Sequence, residues 1–159
     1  MTRLSFLALA LLLVAGCDAT SLGDAQRAFE LQALSAPEGI TETTSTGEVL
    51  RTDADDWRTA PLYLSTFSLT FVPYPNPASP SEAIQVAGTF SGTTGALIPY
   101  RLNERGDLDR LPVVSGEVEG TAPLFTFTAG QLGGAGLYRL VLLDASGRIV
   151  TYGDVEVIP

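Results

Sequence analysis

The sequence predicts an all-β fold, a β-sandwich of about seven or eight short strands placed after an N-terminal signal peptide. Three observations predict it. From residue 62 onward apolar and polar residues alternate with a period of two, the repeat of a strand with one buried face. Turn-forming clusters interrupt that alternation every ~8–12 residues, the spacing of a sandwich or barrel. Beyond residue 40 no stretch keeps an amphipathic helical period over a useful length. The 159 residues suit one domain; 45 % apolar and 17 % charged residues make it globular, and 16 Gly with 10 Pro favour many tight turns.

The first element is the leader. Arg3 precedes a run from Leu4 to Ala15 that is apolar except for Ser5, and small residues close it. This is the pattern of a signal peptide, and the run is shorter than the ~20 residues that span a bilayer. Its last four residues, Val14-Ala15-Gly16-Cys17, resemble the lipobox of bacterial lipoproteins: an aliphatic residue, two small ones, then an obligatory Cys. The resemblance implies cleavage between Gly16 and Cys17 and a diacylglyceryl group on the Cys17 sulfur. Each buried CH₂ of such a lipid contributes ~0.8 kcal/mol, so firm attachment takes more than one acyl chain. The chain is thus expected in the cell envelope, lipid-anchored to the inner or outer membrane and facing the periplasm or the exterior.

Residues 1–16 are then the lipoprotein signal peptide, 17–27 a small, polar tether, and 28–159 the sandwich domain with its core at 62–159. Phe29 to Ala33 alternates like a strand, yet Ala25, Ala28, Phe29 and Gln32 also fit one helical face; both assignments stay open. Ile40 to Thr44 and Glu48 to Thr52 are Thr-rich candidate strands around the turn Ser45-Thr46-Gly47. Tyr63, Ser65, Phe67, Leu69 and Phe71 alternate with Leu64, Thr66, Ser68 and Thr70. Pro73, Pro75, Pro77 and Pro80 break the ladder and make a crossing loop. Ile84, Val86 and Phe90 share the face of the next strand, and Ile98, Tyr100 and Leu102 that of another. The turn Asn103-Glu104-Arg105-Gly106-Asp107 leads to Leu111 and Val113, then to Phe125 and Phe127. Past the loop Gly130 to Gly136, Leu137 to Leu143 is apolar except for Arg139, which suits a central strand buried on both faces. Ala145-Ser146-Gly147-Arg148 turns it into Ile149 to Tyr152, and Val155 and Val157 close the domain.

Charge and composition exclude several functions. There are 18 acidic residues against 9 basic ones, all Arg; without the leader, eight Arg face 18 acids, a formal charge of −10. Such a surface repels phosphate backbones, so nucleic acid is not an expected partner. It reads as a means of solubility in preference to a face for a basic partner. With no His and one Cys, the chain lacks an internal disulfide, Cys–His or Ser–His–Asp catalysis, and His- or Cys-based zinc sites. No cofactor is called for.

Pro73-Tyr74-Pro75-Asn76-Pro77-Ala78, taken with Gly136-Leu137-Tyr138-Arg139 and the strand pair that runs on to Val150, resembles the C-terminal sorting domains of the Bacteroidota type IX secretion system. Asp55-Asp56-Trp57-Arg58 before an aromatic-rich strand adds to the likeness, which covers roughly residues 56–159. It implies an Ig-like sandwich. The family's basic tail has no counterpart in Val155-Glu156-Val157-Ile158-Pro159, so the fold is carried over and the sorting role is kept as the alternative.

Few residues invite a site. Trp57 beside Arg58 could form a stacking platform, although a lone Trp more often seals a small core. Asp53, Asp55 and Asp56 offer oxygen ligands, but Trp57 and Arg58 stand where a Ca²⁺ loop needs a ligand and a Gly, so a solvated acidic turn is preferred. Glu117 and Glu119 lie ~7 Å apart on one strand face, a glycosidase-like spacing, yet strand neighbours cannot flank a sugar from both sides. The expectation is a non-catalytic envelope lipoprotein, held to the membrane through Cys17, that binds or scaffolds a protein or glycan.

Overall fold

The computed structural model describes residues 21–91, 96–118 and 122–159. The expected cleavage and lipidation positions, Gly16 and Cys17, lie outside them.

Helix α1 (Leu22–Ala33) starts at Ser21, whose hydroxyl oxygen accepts from Asp24 N at 3.1 Å and so meets one of the free donors of the first turn. Gln26, Phe29 and Ala33 fall at i, i+3 and i+7 and form its buried face. This corrects the tether: from Leu22 to residue 27 the chain is already helix, and the open assignment at residues 29–33 resolves the same way. The inward face escapes a hydropathy pattern because one of its three members is Gln26. That side chain is buried yet satisfied, its Nε2 donating to Ile149 O at 3.3 Å and its Oε1 accepting from Leu62 N at 3.1 Å.

Strands β1 (Glu42–Thr43) and β2 (Val49–Arg51) form the expected small hairpin, with Gly47 at φ +86° in its turn. The next strand begins later than its alternation suggests. Pro61 opens a 3-10 turn (Pro61–Tyr63), so Tyr63 and Leu64 precede the ladder.

Eight strands then build two sheets: β3 (Phe67–Tyr74), β4 (Ala83–Phe90), β5 (Leu97–Leu102), β6 (Leu108–Arg110), β7 (Val114–Val118), β8 (Ala122–Thr128), β9 (Gly136–Asp144) and β10 (Ile149–Val157). One sheet has the order β3-β4-β8-β7 and the other β10-β9-β5-β6, antiparallel throughout. Lettered from β3, these read A-B-E-D and G-F-C-C′. That is the immunoglobulin arrangement, and the fold is an all-β sandwich of this kind. Tyr138, near the start of β9, donates from its hydroxyl to Gly134 O at 2.8 Å, the tie known as a tyrosine corner. Two residues on, where immunoglobulins carry a disulfide, stands the fully buried Leu140.

The core has two storeys. Between the sheets, Phe67, Ile84, Val86, Phe125 and Phe127 meet Leu140, Leu142, Val150, Val155 and Val157. On the far side of β9 and β10, Val141, Leu143, Ile149 and Tyr152 pack under Phe29 and Ala33 of α1. The double cover explains why β9 reads as a continuous apolar run. In β5, Ile98, Tyr100 and Leu102 share one face as expected, the half-buried one on the helix side, while Leu97 and Pro99 are the buried members.

The free edge of β10 is closed by two passing segments. Trp57 N and Ala60 N donate to Tyr152 O and Val150 O at 2.7 and 2.8 Å. Ala78 N donates to Glu156 O at 2.9 Å. An edge with paired backbone groups is closed to strand addition. The crossing loop begins two residues later than expected, since β3 runs through Pro73 to Tyr74. Asn76, fully buried, then stitches it down: Nδ2 donates to Thr41 O and Asp154 O at 2.9 and 3.0 Å, and Oδ1 accepts from Glu156 N at 2.9 Å.

Candidate functional site

An open groove of about 1060 Å³ lies at one end of the sandwich. Three elements wall it: the chain leaving α1 (Leu34, Ala36, Pro37), the β5–β6 hairpin (Arg101 to Gly106), and the loop entering β9 (Leu132 to Arg139). Each wall is held locally. Asn103 Oδ1 accepts from Arg105 N and Asp107 N, both at 2.9 Å, and Gly106 takes φ +82°, so Glu104 and Arg105 are held at an exposed hairpin tip. Arg101 donates to Leu132 O and pairs with Asp109 at 3.2 Å, tying hairpin to loop. Tyr138 fixes the loop from its other side.

The lining combines exposed guanidinium at Arg105, apolar surface at Leu34, Leu102 and Leu137, and the ring of Tyr138. It contains one carboxylate, Glu104, and no Ser, Thr, Cys or Lys. Such a lining has the cation, apolar surface and aromatic ring to meet an apolar or acidic ligand segment.

A second, smaller hollow of about 220 Å³ opens under the C-terminal end of α1, lined by Gln32, Ser35, Glu38 and the acids Asp53, Asp55, Asp56 and Asp154 around Arg139. Arg139 and Asp154 form a buried two-pronged ion pair, Nε to Oδ1 at 2.7 Å and Nη2 to Oδ2 at 2.8 Å, with both side chains at most 4 % exposed. Arg139 also donates to Gln32 O at 2.9 Å and Ser35 Oγ at 3.2 Å, and stacks 4.9 Å from the centre of the Tyr152 ring. Burial opposes its charge, but Asp154 outweighs that and holds its pKa above the usual arginine value. Asp56 is a clasp. Its Oδ2 accepts from Thr41 N at 2.7 Å and its Oδ1 from Asp154 N at 2.8 Å. Burial pushes its pKa up to about 6, the two backbone donors holding it from going further.

Placement of the expected residues differs from residue to residue. Trp57 is 7 % exposed, with its ring pressed into the gap left by Gly153, so it seals the core and offers no open platform. Its Nε1 finds no partner, and its backbone sits at φ 59° in the left-handed region. Arg58 is half exposed and already engaged: Nη2 donates to Gln32 Oε1 at 2.7 Å and to Tyr152 Oη at 2.9 Å, and lies 3.4 Å from Asp55. Asp53, Asp55 and Asp56 turn to separate tasks, and no group of three acidic, His or Cys residues is arranged to hold a metal among the described residues. Glu117 lies on β7; its partner Glu119 is outside the described residues. Asn76, Arg139 and Asp154 were missed as a network. The one available signal was Arg139 standing alone in an apolar run.

No protein-family model matches the chain, and comparison with curated proteins finds no match. Among the described residues no helix is long and apolar enough to cross a membrane.

Proposed function

We propose that this protein is a non-catalytic lipoprotein of the cell envelope, moored through lipid on Cys17, that binds or scaffolds a protein or glycan with the groove between Leu34, Arg105 and Leu137. The observation that carries the reading is Val14-Ala15-Gly16-Cys17 at the end of an apolar leader, with the chain's one Cys at the one position where acylation needs it. The groove supports the second half. It opens beside the C-terminal end of α1, while the anchored segment enters at the N-terminal end. Twelve helical residues set these ends about 18 Å apart, which keeps the groove clear of the lipid.

The test has two parts. Cys17→Ala should abolish metabolic labelling with palmitate and release the chain from the membrane fraction; labelling that persists removes the anchor from the reading. A photo-crosslinking residue in place of Leu137 should capture a defined partner in intact cells, with yield reduced several-fold by Arg105→Glu. Equal capture from an exposed position outside the groove, such as Ser68, would remove the groove.

A second reading has its own observation: Tyr74-Pro75-Asn76-Pro77 and Gly136-Leu137-Tyr138 resemble short motifs of type IX sorting domains. Here the domain would act as cargo signal or adaptor. Delivery of a reporter fused to residues 21–159 to the medium or outer face, in a cell that carries that system, would favour it.

A further inference from the structure

We propose that the end of the molecule around the N-terminus of α1 rests on the lipid surface, with Leu22, Leu62 and Leu64 set among the lipid headgroups. The inference rests on the lipid-anchor reading above. Leu22 is 56 % exposed, Leu62 38 % and Leu64 69 %. Single exposed leucines are ordinary; three on one small area beside an anchor are not. Leu22 opens the helix, and Leu62 and Leu64 belong to the 3-10 turn and its end. The turn is bonded to the helix through Leu62 N and Gln26 Oε1, and Gln26 stands one helical turn beyond Leu22.

Covalent geometry limits where this area can be. The four residue steps from Cys17 to Ser21 span at most ~14 Å fully extended. An acylated Cys17 sits at headgroup level, so the first turn of α1 cannot stand farther from the lipid than that. The charge at this end is compatible with contact. Arg27 and Arg148 are exposed, and Arg148 acts on the Tyr63 hydroxyl together with the acids Asp144 and Glu30, so both signs of charge are present. The acids of residues 38–56 lie instead with the two segments that run past the middle and far end of β10. Apolar side chains at headgroup depth would add to the acyl anchor and fix the tilt of the domain, pointing the groove away from the membrane.

The experiment uses the full chain, isolated from membranes and reconstituted in phosphatidylcholine–phosphatidylglycerol vesicles, with an environment-sensitive fluorophore on Leu64→Cys or, as a distal reference, Val114→Cys. Val114 is 74 % exposed and pairs with Thr126 near the groove end of β8. The lipidated Cys17 leaves the introduced thiol as the one that reacts. Label at position 64 should brighten several-fold and be quenched by nitroxide-bearing lipid, and label at 114 should do neither. Equal, water-like emission at both positions on a chain whose mass shows the acyl groups overturns the docking and leaves the anchor standing. A mass showing free Cys17 overturns the anchor reading and the docking with it. A change at 64 in whole envelopes but not in protein-free vesicles assigns the leucines to a protein partner and also overturns the inference.

Discussion

At the scale of single residues, the chemistry of this protein is concentrated in a few buried polar groups. Asp56 has a folded-state pKa of about 6 against an unfolded value near 4, so the folded chain holds a proton that the unfolded chain has released in that window. Stability from this group is therefore greatest below pH 4 and falls as pH rises to 6, by at most about 3 kcal/mol. Thermal denaturation of wild type should show a higher Tm at pH 5 than at pH 7.5, and Asp56→Asn should flatten that difference. Asp56→Ala should cost about 1–3 kcal/mol for each backbone donor it abandons, at Thr41 and Asp154, measured by urea titration. For the Arg139–Asp154 pair, Arg139→Leu alone should cost about 3–5 kcal/mol because it strands a buried carboxylate, and Arg139→Leu with Asp154→Leu should recover much of the loss. A double-mutant cycle in denaturant checks both. Of these residues, Arg139 stood out in the sequence as a lone charge in an apolar run, and Asp56 only as one of three acids in a turn read as solvated. Asp56 and Asp154 look like any surface acids until folding brings them under α1.

At the scale of elements, alternation located most strands of the two sheets to within a few residues, because one face of each packs against the other sheet; Leu111 and Val113, read as strand positions, lie instead in the link between β6 and β7. It failed where a neighbour changed the rule. Pro61 converts the expected start of β3 into a 3-10 turn, and α1 covers the second face of β5, whose buried members are Leu97 and Pro99. The helix itself was hidden by its buried Gln26, whose amide takes up Ile149 O and Leu62 N. The tyrosine corner should be worth about 1 kcal/mol: Tyr138→Phe keeps the ring packing but loses the bond to Gly134 O. Its unfolding midpoint in urea should drop with an unchanged m-value. Gly153→Ala should be costlier than a surface Gly→Ala change, since a Cβ there meets the Trp57 ring. Fluorescence of Trp57, the chain's sole tryptophan, should report the displaced ring directly.

At the scale of the whole molecule, the sandwich is incomplete without residues ahead of its first strand. Trp57 to Ala60 close part of the edge of β10, and α1 covers the apolar face formed by Val141, Leu143 and Tyr152. The segment 62–159, which alternation marks as the core, should therefore fail to fold alone. It should bind a hydrophobic dye and unfold without a cooperative transition, whereas residues 21–159 should show a single one by circular dichroism. The same arrangement sets the groove at the C-terminal end of α1, so that in the proposed reading one helix separates the lipid from the groove.

Sequence by itself determined most of the strand pattern, the turns, and the exclusion of histidine and disulfide chemistry. Each follows from local composition and from spacing along the chain. Tertiary structure alone decided that Leu22 to Ala33 is a helix, that Trp57 is a plug, and that Asp56, Asn76, Arg139 and Asp154 work together. The reason is distance along the chain: Asp56 meets the backbone of Asp154 across 98 residues, and no local pattern encodes a hydrogen bond between segments that only folding brings into contact.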